Sequence, residues 1–224
     1  MTVVDGNGTF TVDQLEQPSD LAQALVIRTA GTEYWLDHRE PLLEDADLAG
    51  NPVTNGVFVH AGPNPYAFGS NARSPYPTPD VLLPNPRDRS LDALLPGDSF
   101  AEPGAFTLTV LRHEGTHVDL DFRWTDTKPP QAPRIASPGA VVRGSSRWID
   151  VDWQGSSDVG SGVARYELWI DGAARRTIPA DFRLGDHLQL PRPRPGRHGL
   201  RMIAIDRAGN RSSVALRRFT VRSA

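Results

Sequence analysis

Cysteine is absent from the 224 residues, which excludes disulfides and thiolate metal sites and leaves the compartment undecided. Lysine is nearly absent, with one Lys against 23 Arg. No apolar run approaches ~18 residues, so no membrane-spanning helix is expected. The stretch Met1–Gly6 has neither a basic n-region nor an apolar h-region, so no export signal is read within this chain. Phosphate loops, dinucleotide fingerprints and nucleophile elbows are missing too.

Glycine and proline, by contrast, are plentiful at 20 each, and they punctuate short apolar runs. That pattern predicts an all-β chain with many turns. Three prolines fall within residues 129–133, where neither a helix nor a central strand can form, because each lacks an N–H and fixes φ. We therefore expect a β-rich module over 1–125, a semi-rigid linker over 126–133 and a second module over 134–224. The two sides differ in charge. Residues 1–127 carry 7 Arg and no Lys against 19 Asp and Glu, a net of −12, whereas residues 128–224 carry 17 Lys and Arg against 8, a net of +9. Opposite signs fit either mutual attraction, an anionic partner for the basic half, or simply solvated surface.

In the first module, Gly8–Val12, Leu21–Ile27, Glu33–Arg39 and Gly56–His60 read as strands, with Tyr34 and Leu36 on one face and Trp35 on the other. Residues 61–90 read as an ordered loop holding a short strand over Asp80–Pro84, and Leu94–Phe100 as a turn entering a buried aromatic. The series Gly8-Thr9-Phe10-Thr11-Val12, Leu15-Glu16, Ala24-Leu25-Val26-Ile27, Glu33-Tyr34-Trp35-Leu36-Asp37-His38-Arg39, Gly56-Val57-Phe58-Val59-His60 and Leu91–Phe100 resembles the β-rich region that follows the catalytic domain of gametolysin-like and immune-inhibitor-A-like secreted zinc peptidases. The resemblance spans about residues 5–124. It implies a sandwich-like ancillary domain, an upstream catalytic domain and an extracellular location.

His113-Glu114-Gly115-Thr116-His117 matches H-E-x-x-H. In zinc peptidases a helix sets the two His one turn apart and the Glu beside the metal-bound water. Here Thr107–His113 and Thr116–Phe122 alternate as strands do, and Glu114-Gly115 reads as a two-residue turn. That register pairs His113 with Thr116, Arg112 with His117, Leu111 with Val118, Thr109 with Leu120 and Thr107 with Phe122. It puts Leu111, Val118, Leu120 and Phe122 on one face and the two His on opposite faces. The expectation is no metal site and no catalytic residue. The alternative is zinc on His113 and His117 with Glu114 as general base. The longer metzincin pattern would need a His at position 123, which is Arg.

In the second module, strands are expected over Arg147–Trp153 (Ile149, Val151 and Trp153 inward), Val163–Ile170 (Tyr166, Leu168 and Ile170 together), Arg175–Ile178, Phe182–Leu190, His198–Asp206 and Ser213–Val221. Asp171-Gly172 is a strong hairpin turn. About seven strands in this length predict an immunoglobulin-like sandwich. Ser156 to Gly172 and Asp206 to Ser212 resemble the bacterial Ig-like and fibronectin-type-III-like modules appended to exported enzymes. Trp169 is placed on the outer face, as a sugar- or partner-binding candidate or a partly covered surface residue. Glu44-Asp45-Ala46-Asp47 reads as a solvated acidic loop, with calcium as the alternative. Arg192 to Arg197 reads as a basic turn, with phosphate or an acidic polymer as the alternative. With no aromatics interleaved there, no nucleic acid is expected.

The expected function is a non-catalytic accessory region of an exported metallopeptidase, acting as spacer or in binding protein or polysaccharide at a cell surface. The alternatives are a zinc peptidase using the pentapeptide and a carbohydrate- or cell-wall-binding protein.

Overall fold

The computed structural model describes residues 1–63, 81–82, 93–180 and 187–223. Most of the loop expected over 61–90, and the start of the strand expected over 182–190, lie outside the described residues. The chain divides into two compact units, Met1–Thr127 and Lys128–Ala224. Both are β-sandwiches.

The first unit runs β1 (Thr2–Val3), β2 (Gly8–Asp13), β3 (Ala24–Arg28), β4 (Thr32–Asp37), β5 (Val57–Pro63), β6 (Val81–Leu82), β7 (Ala93–Leu94), β8 (Ser99–Glu102), β9 (Phe106–Glu114) and β10 (His117–Trp124). One sheet has the order β1-β3-β4-β5-β6, with β7 also on β5, and the other has the order β2-β10-β9-β8. Alternation fills the space between them. Tyr34 and Leu36 on β4 face in while Trp35 is half-buried, and they meet Leu108, Val110, Leu120 and Phe122 in one core cluster. Each such side chain contributes roughly 1.5–3 kcal/mol on burial.

The β9–β10 hairpin corrects the expected register. Glu114 pairs with His117, so Gly115-Thr116 is the turn, and Arg112 pairs with Asp119 while Val110 pairs with Leu120. Gly115 has φ +63°, which suits the first central position of a II′ turn, where glycine alone is at ease. A turn at Glu114-Gly115 would force Glu114 into that region. The pairing is thus shifted by two residues next to the turn, and a bulge at Leu111, which is 48% exposed, reduces the shift to one beyond Asp119. The inward residues of β9 are therefore Phe106, Leu108 and Val110, not Thr107, Thr109 and Leu111.

The second unit runs β11 (Arg134–Ile135), β12 (Val141–Val142), β13 (Trp148–Gln154), β14 (Val163–Ile170), β15 (Ala173–Pro179), β16 (His187–Pro191), β17 (Gly196–Asp206) and β18 (Ala215–Val221). Its sheets are β11-β13-β16 and β12-β18-β17-β14-β15. β11 and β12 are two halves of one opening strand shared between the sheets, which makes the unit a seven-stranded immunoglobulin-like sandwich. Ile149, Val151 and Trp153 from one sheet pack with Tyr166, Leu168 and Ile170 from the other. Trp153 meets Tyr166 edge-on at 5.8 Å, and the Tyr166 hydroxyl accepts the Ser156 N–H at 2.8 Å. Asp171 and Gly172 both have positive φ, at 52° and 82°, which fits a I′ turn.

The proline-rich segment is tied down at both ends. Thr125 N–H donates to the Ala105 carbonyl at 2.9 Å in the first unit, and Gln131 N–H donates to the Ser157 carbonyl at 2.9 Å in the second.

Candidate functional site

The pentapeptide sits on a strand–turn–strand instead of a helix, and this separates its residues. His113 pairs with Val118 and His117 with Glu114. Neighbouring strand residues project to opposite faces, so the zinc alternative on His113 and His117 is not assembled. Glu114 is exposed and lies 3.2 Å from Arg112 Nη1.

His113 finds other company. Its Nε2 lies 3.1 Å from Glu40 Oε1, and its ring stands 5.0 Å from that of His38. His38 follows β4 directly and is fully buried. Its Nδ1 is 2.8 Å from the Gly56 carbonyl oxygen and its Nε2 is 3.1 Å from the same Glu40 Oε1. The backbone around it is held: Leu15 N–H donates to the His38 carbonyl at 3.2 Å, and Glu40 N–H to Glu16 Oε2 at 3.1 Å. Two imidazoles and one carboxylate thus converge between the end of β4 and the tip of β9, with donor atoms all within 4.8 Å of one another. In the sequence His38 stands out only as part of the expected strand Glu33–Arg39, and Glu40 carries no motif. No local spacing joins either to His113, 73 residues away from Glu40.

A second cluster lies on the outer face of the five-stranded sheet. Trp169 stands opposite Arg201, which stands opposite Leu216 on the next strand. Arg197, Arg201, Leu216 and Arg218 are exposed and line an open groove of about 530 Å³ with His198 and Asp171. None of these three arginines has a carboxylate partner among the described residues. Their alternation follows from the strand period: the buried residues Leu200, Met202 and Phe219 point the other way. Trp169 itself is half-buried and lines a separate, smaller hollow with Arg176 and Thr177. Trp148, on the opposite sheet, is more exposed at 52%.

His198 closes the end of this groove. Its Nδ1 is 2.7 Å from Asp171 Oδ2 and its Nε2 is 2.8 Å from the Arg194 carbonyl oxygen. Both ring nitrogens face acceptors, which suits the doubly protonated ring. Burial pulls its pKa down, but the Asp171 hydrogen bond and charge and the Arg194 carbonyl outweigh burial, and the pKa lies above its ordinary value. A raised pKa stabilises the fold fully below the unfolded value of about 6.5, and that contribution fades as pH rises through the folded value. Asp171→Asn is therefore expected to lower stability at acidic pH and to matter progressively less as the medium becomes alkaline, as read from urea melts at several pH values. An equal loss at every pH would show that His198 does not titrate in this way.

The other candidates resolve differently. Leu43–Leu48 forms a short 3₁₀ turn instead of a loop, and Asp45 lies 3.5 Å from Arg39 Nη1. Residues two apart on such a turn point apart, so Asp45 and Asp47 do not converge on a calcium ion. Arg192, in the basic turn, is spent on carbonyls: it donates to those of Gly144 and Arg222. On the first unit, Asp119 accepts from Thr11 Oγ1 at 2.7 Å and from Arg112 Nε at 2.8 Å, and these bonds lower its pKa.

No family model and no curated protein matches the chain. Among solved structures it is similar to fibronectin(III)-like modules of Clostridium thermocellum CbhA, at 15% identity and a TM-score of 0.34 over 41% of this chain and 98% of that one. It is also similar to the spore cortex lytic enzyme SleM of Clostridium perfringens, at 17% identity and a TM-score of 0.34 over 47% of this chain and 34% of that one. A β-1,2-glucanase of Parabacteroides distasonis matches at 10% identity and a TM-score of 0.30 over 98% of this chain and 38% of that one.

Proposed function

We propose that the chain is a non-catalytic accessory region of an exported enzyme, of the metallopeptidase type its first module resembles, and that its second unit binds an acidic polysaccharide at a cell surface. The observation that carries this reading is the row of exposed arginines, Arg197, Arg201 and Arg218, which have no carboxylate partner among the described residues and lie beside Trp169 and Leu216 on one sheet face. Guanidinium groups suit carboxylate and sulfate groups, which they grip with paired N–H donors. An indole beside them offers a flat apolar face to a sugar ring. The net charge of +9 over residues 128–224 draws a polyanion to this unit.

The test is binding of the full chain to immobilised heparin and polygalacturonate, with dextran as the neutral polymer. The acidic polymers are expected to bind at low salt and to release as salt rises. Arg201→Ala with Arg218→Ala is expected to weaken binding by about tenfold, from two screened surface contacts at about 0.7 kcal/mol each. Trp169→Ala is expected to weaken it too, whereas Trp148→Ala on the other sheet leaves it unchanged. Equal binding to dextran, or indifference to the arginine pair, would end the reading. A chain that binds none of the three polymers would leave the accessory region as a spacer.

A further inference from the structure

We infer that His38, Glu40 and His113 form a metal site for zinc or a related late first-row divalent cation, distinct from the pentapeptide reading, with His38 and Glu40 in place of His117 and Glu114. Donor and acceptor roles at His38 require a positive charge beside it. A carbonyl oxygen only accepts, so the 2.8 Å contact to Gly56 fixes the proton of His38 on Nδ1. In the neutral ring, Nε2 then presents a lone pair. It faces Glu40 Oε1 at 3.1 Å, and a carboxylate oxygen also only accepts. Two acceptors at this distance repel unless a positive charge lies between them. His113 Nε2 lies at the same 3.1 Å from the same oxygen, and a shared cation satisfies all three groups together.

The spacing suits a metal ion. Bonds of 2.0–2.1 Å at a tetrahedral angle put neighbouring ligand atoms about 3.3 Å apart; the two separations from Glu40 Oε1 are 3.1 Å, and the histidine nitrogens lie within 4.8 Å of each other, so that the partly exposed His113 ring has the turning to do. An imidazole whose far nitrogen donates to a backbone carbonyl is the usual state of a metal-bound histidine, because that bond sets the tautomer and holds the ring. The Gly56 carbonyl does this for His38. Two imidazoles and one carboxylate without sulfur favour zinc, cobalt or nickel over calcium or magnesium. His38 is closed off from solvent, while the His113 and Glu40 side chains keep 21% and 18% of their surface. A bound ion would thus be reached from the His113 side, where water can complete its shell. It would also fasten the end of β4 in one sheet to the tip of β9 in the other.

The test uses the full chain stripped by a chelator. Zinc is expected to bind at about one equivalent per chain and to raise Tm by several degrees, since a ligand held only by the folded state stabilises it. Excess chelator should reverse the rise. Cobalt(II) should give visible bands of a low-symmetry, four- or five-coordinate ion. His113→Ala and Glu40→Gln, both at partly exposed positions, should melt like the stripped wild type yet lose the zinc response and the cobalt bands. His117→Ala and Glu114→Gln should keep both. A stripped wild type that neither binds zinc nor shifts its Tm would overturn the proposal, the charge between His38 and Glu40 then being a proton. Loss of binding in His117→Ala, or its survival in His113→Ala, would overturn it as well.

Discussion

Replacing Gly56 by Ala is expected to destabilise the first unit by about 3 kcal/mol or more. The reason is steric. A Cβ at position 56 would lie 2.2 Å from the Leu94 carbonyl oxygen and 2.8 Å from its carbon. Both belong to the backbone of β7, which pairs with β5 through Val57 and Leu94, so no flexible side chain can turn aside. The backbone at Gly56 is ordinary extended chain, at φ −138° and ψ −165°, and conformational strain plays no part. Relief requires the two strands to separate. The Gly56 carbonyl would shift with them and release His38, so zinc affinity is expected to fall together with stability. Urea denaturation of the full chain, with and without zinc, measures both. A loss below about 0.5 kcal/mol, the range of neutral surface changes, would mean that β7 does not lie where the structure puts it.

Phe106→Ala is expected to cost about 3–5 kcal/mol, whereas Leu111→Ala on the same strand should stay within about 0.5 kcal/mol. Phe106 is fully buried. Its ring stands 5.1 Å from Tyr34, 5.3 Å from Phe122, 6.0 Å from Phe100 and 6.1 Å from Trp124. Truncation leaves a cavity among aromatic rings that are themselves held in place. The Tyr34 hydroxyl donates to Glu102 Oε2 at 2.7 Å, which limits how far that ring can collapse inward, and incomplete collapse is what makes such sites expensive. Leu111 lies at the bulge with about half of its surface already in water, so removing it uncovers little. The contrast also decides the hairpin register. A turn at Glu114-Gly115 would give Leu111 the core and make its truncation costly. Chemical denaturation of the two variants separates the registers, and a larger loss at Leu111 would reject the observed one.

The strands of the second unit were legible because each carries a period-2 pattern bounded by turn residues. Ile149, Val151 and Trp153, or Tyr166, Leu168 and Ile170, face inward for reasons contained in seven or eight residues of sequence. Asp171-Gly172 announces its turn equally locally. The first hairpin was harder. Both registers present Val118, Leu120 and Phe122 to the core, and they differ only in which β9 residues join them. The choice fell to the φ of Gly115 and to a bulge that has no marker in the residue pattern. The basic surface of the second unit was visible as net charge. The turn Arg192–Arg197 stood out as a run of arginines, yet Arg192 is bound to carbonyls, and the open face is made by Arg201 and Arg218 on separate strands.

Alternation of apolar residues, turn glycines and the reversal of net charge near residue 127 suffice for two all-β modules and for most inward-facing positions, because those are nearest-neighbour properties of an extended chain. Which side chains meet across the first sandwich is settled differently. His38 and Glu40 reach His113 through the stacking of two sheets, and their encounter depends on sheet pairing, on the hairpin slip and on the close passage of β5 against β7 at Gly56. A pentapeptide with the outline of a zinc motif thus has its two imidazoles parted by the strand that carries them, while one of the pair finds partners that folding brings from far along the chain.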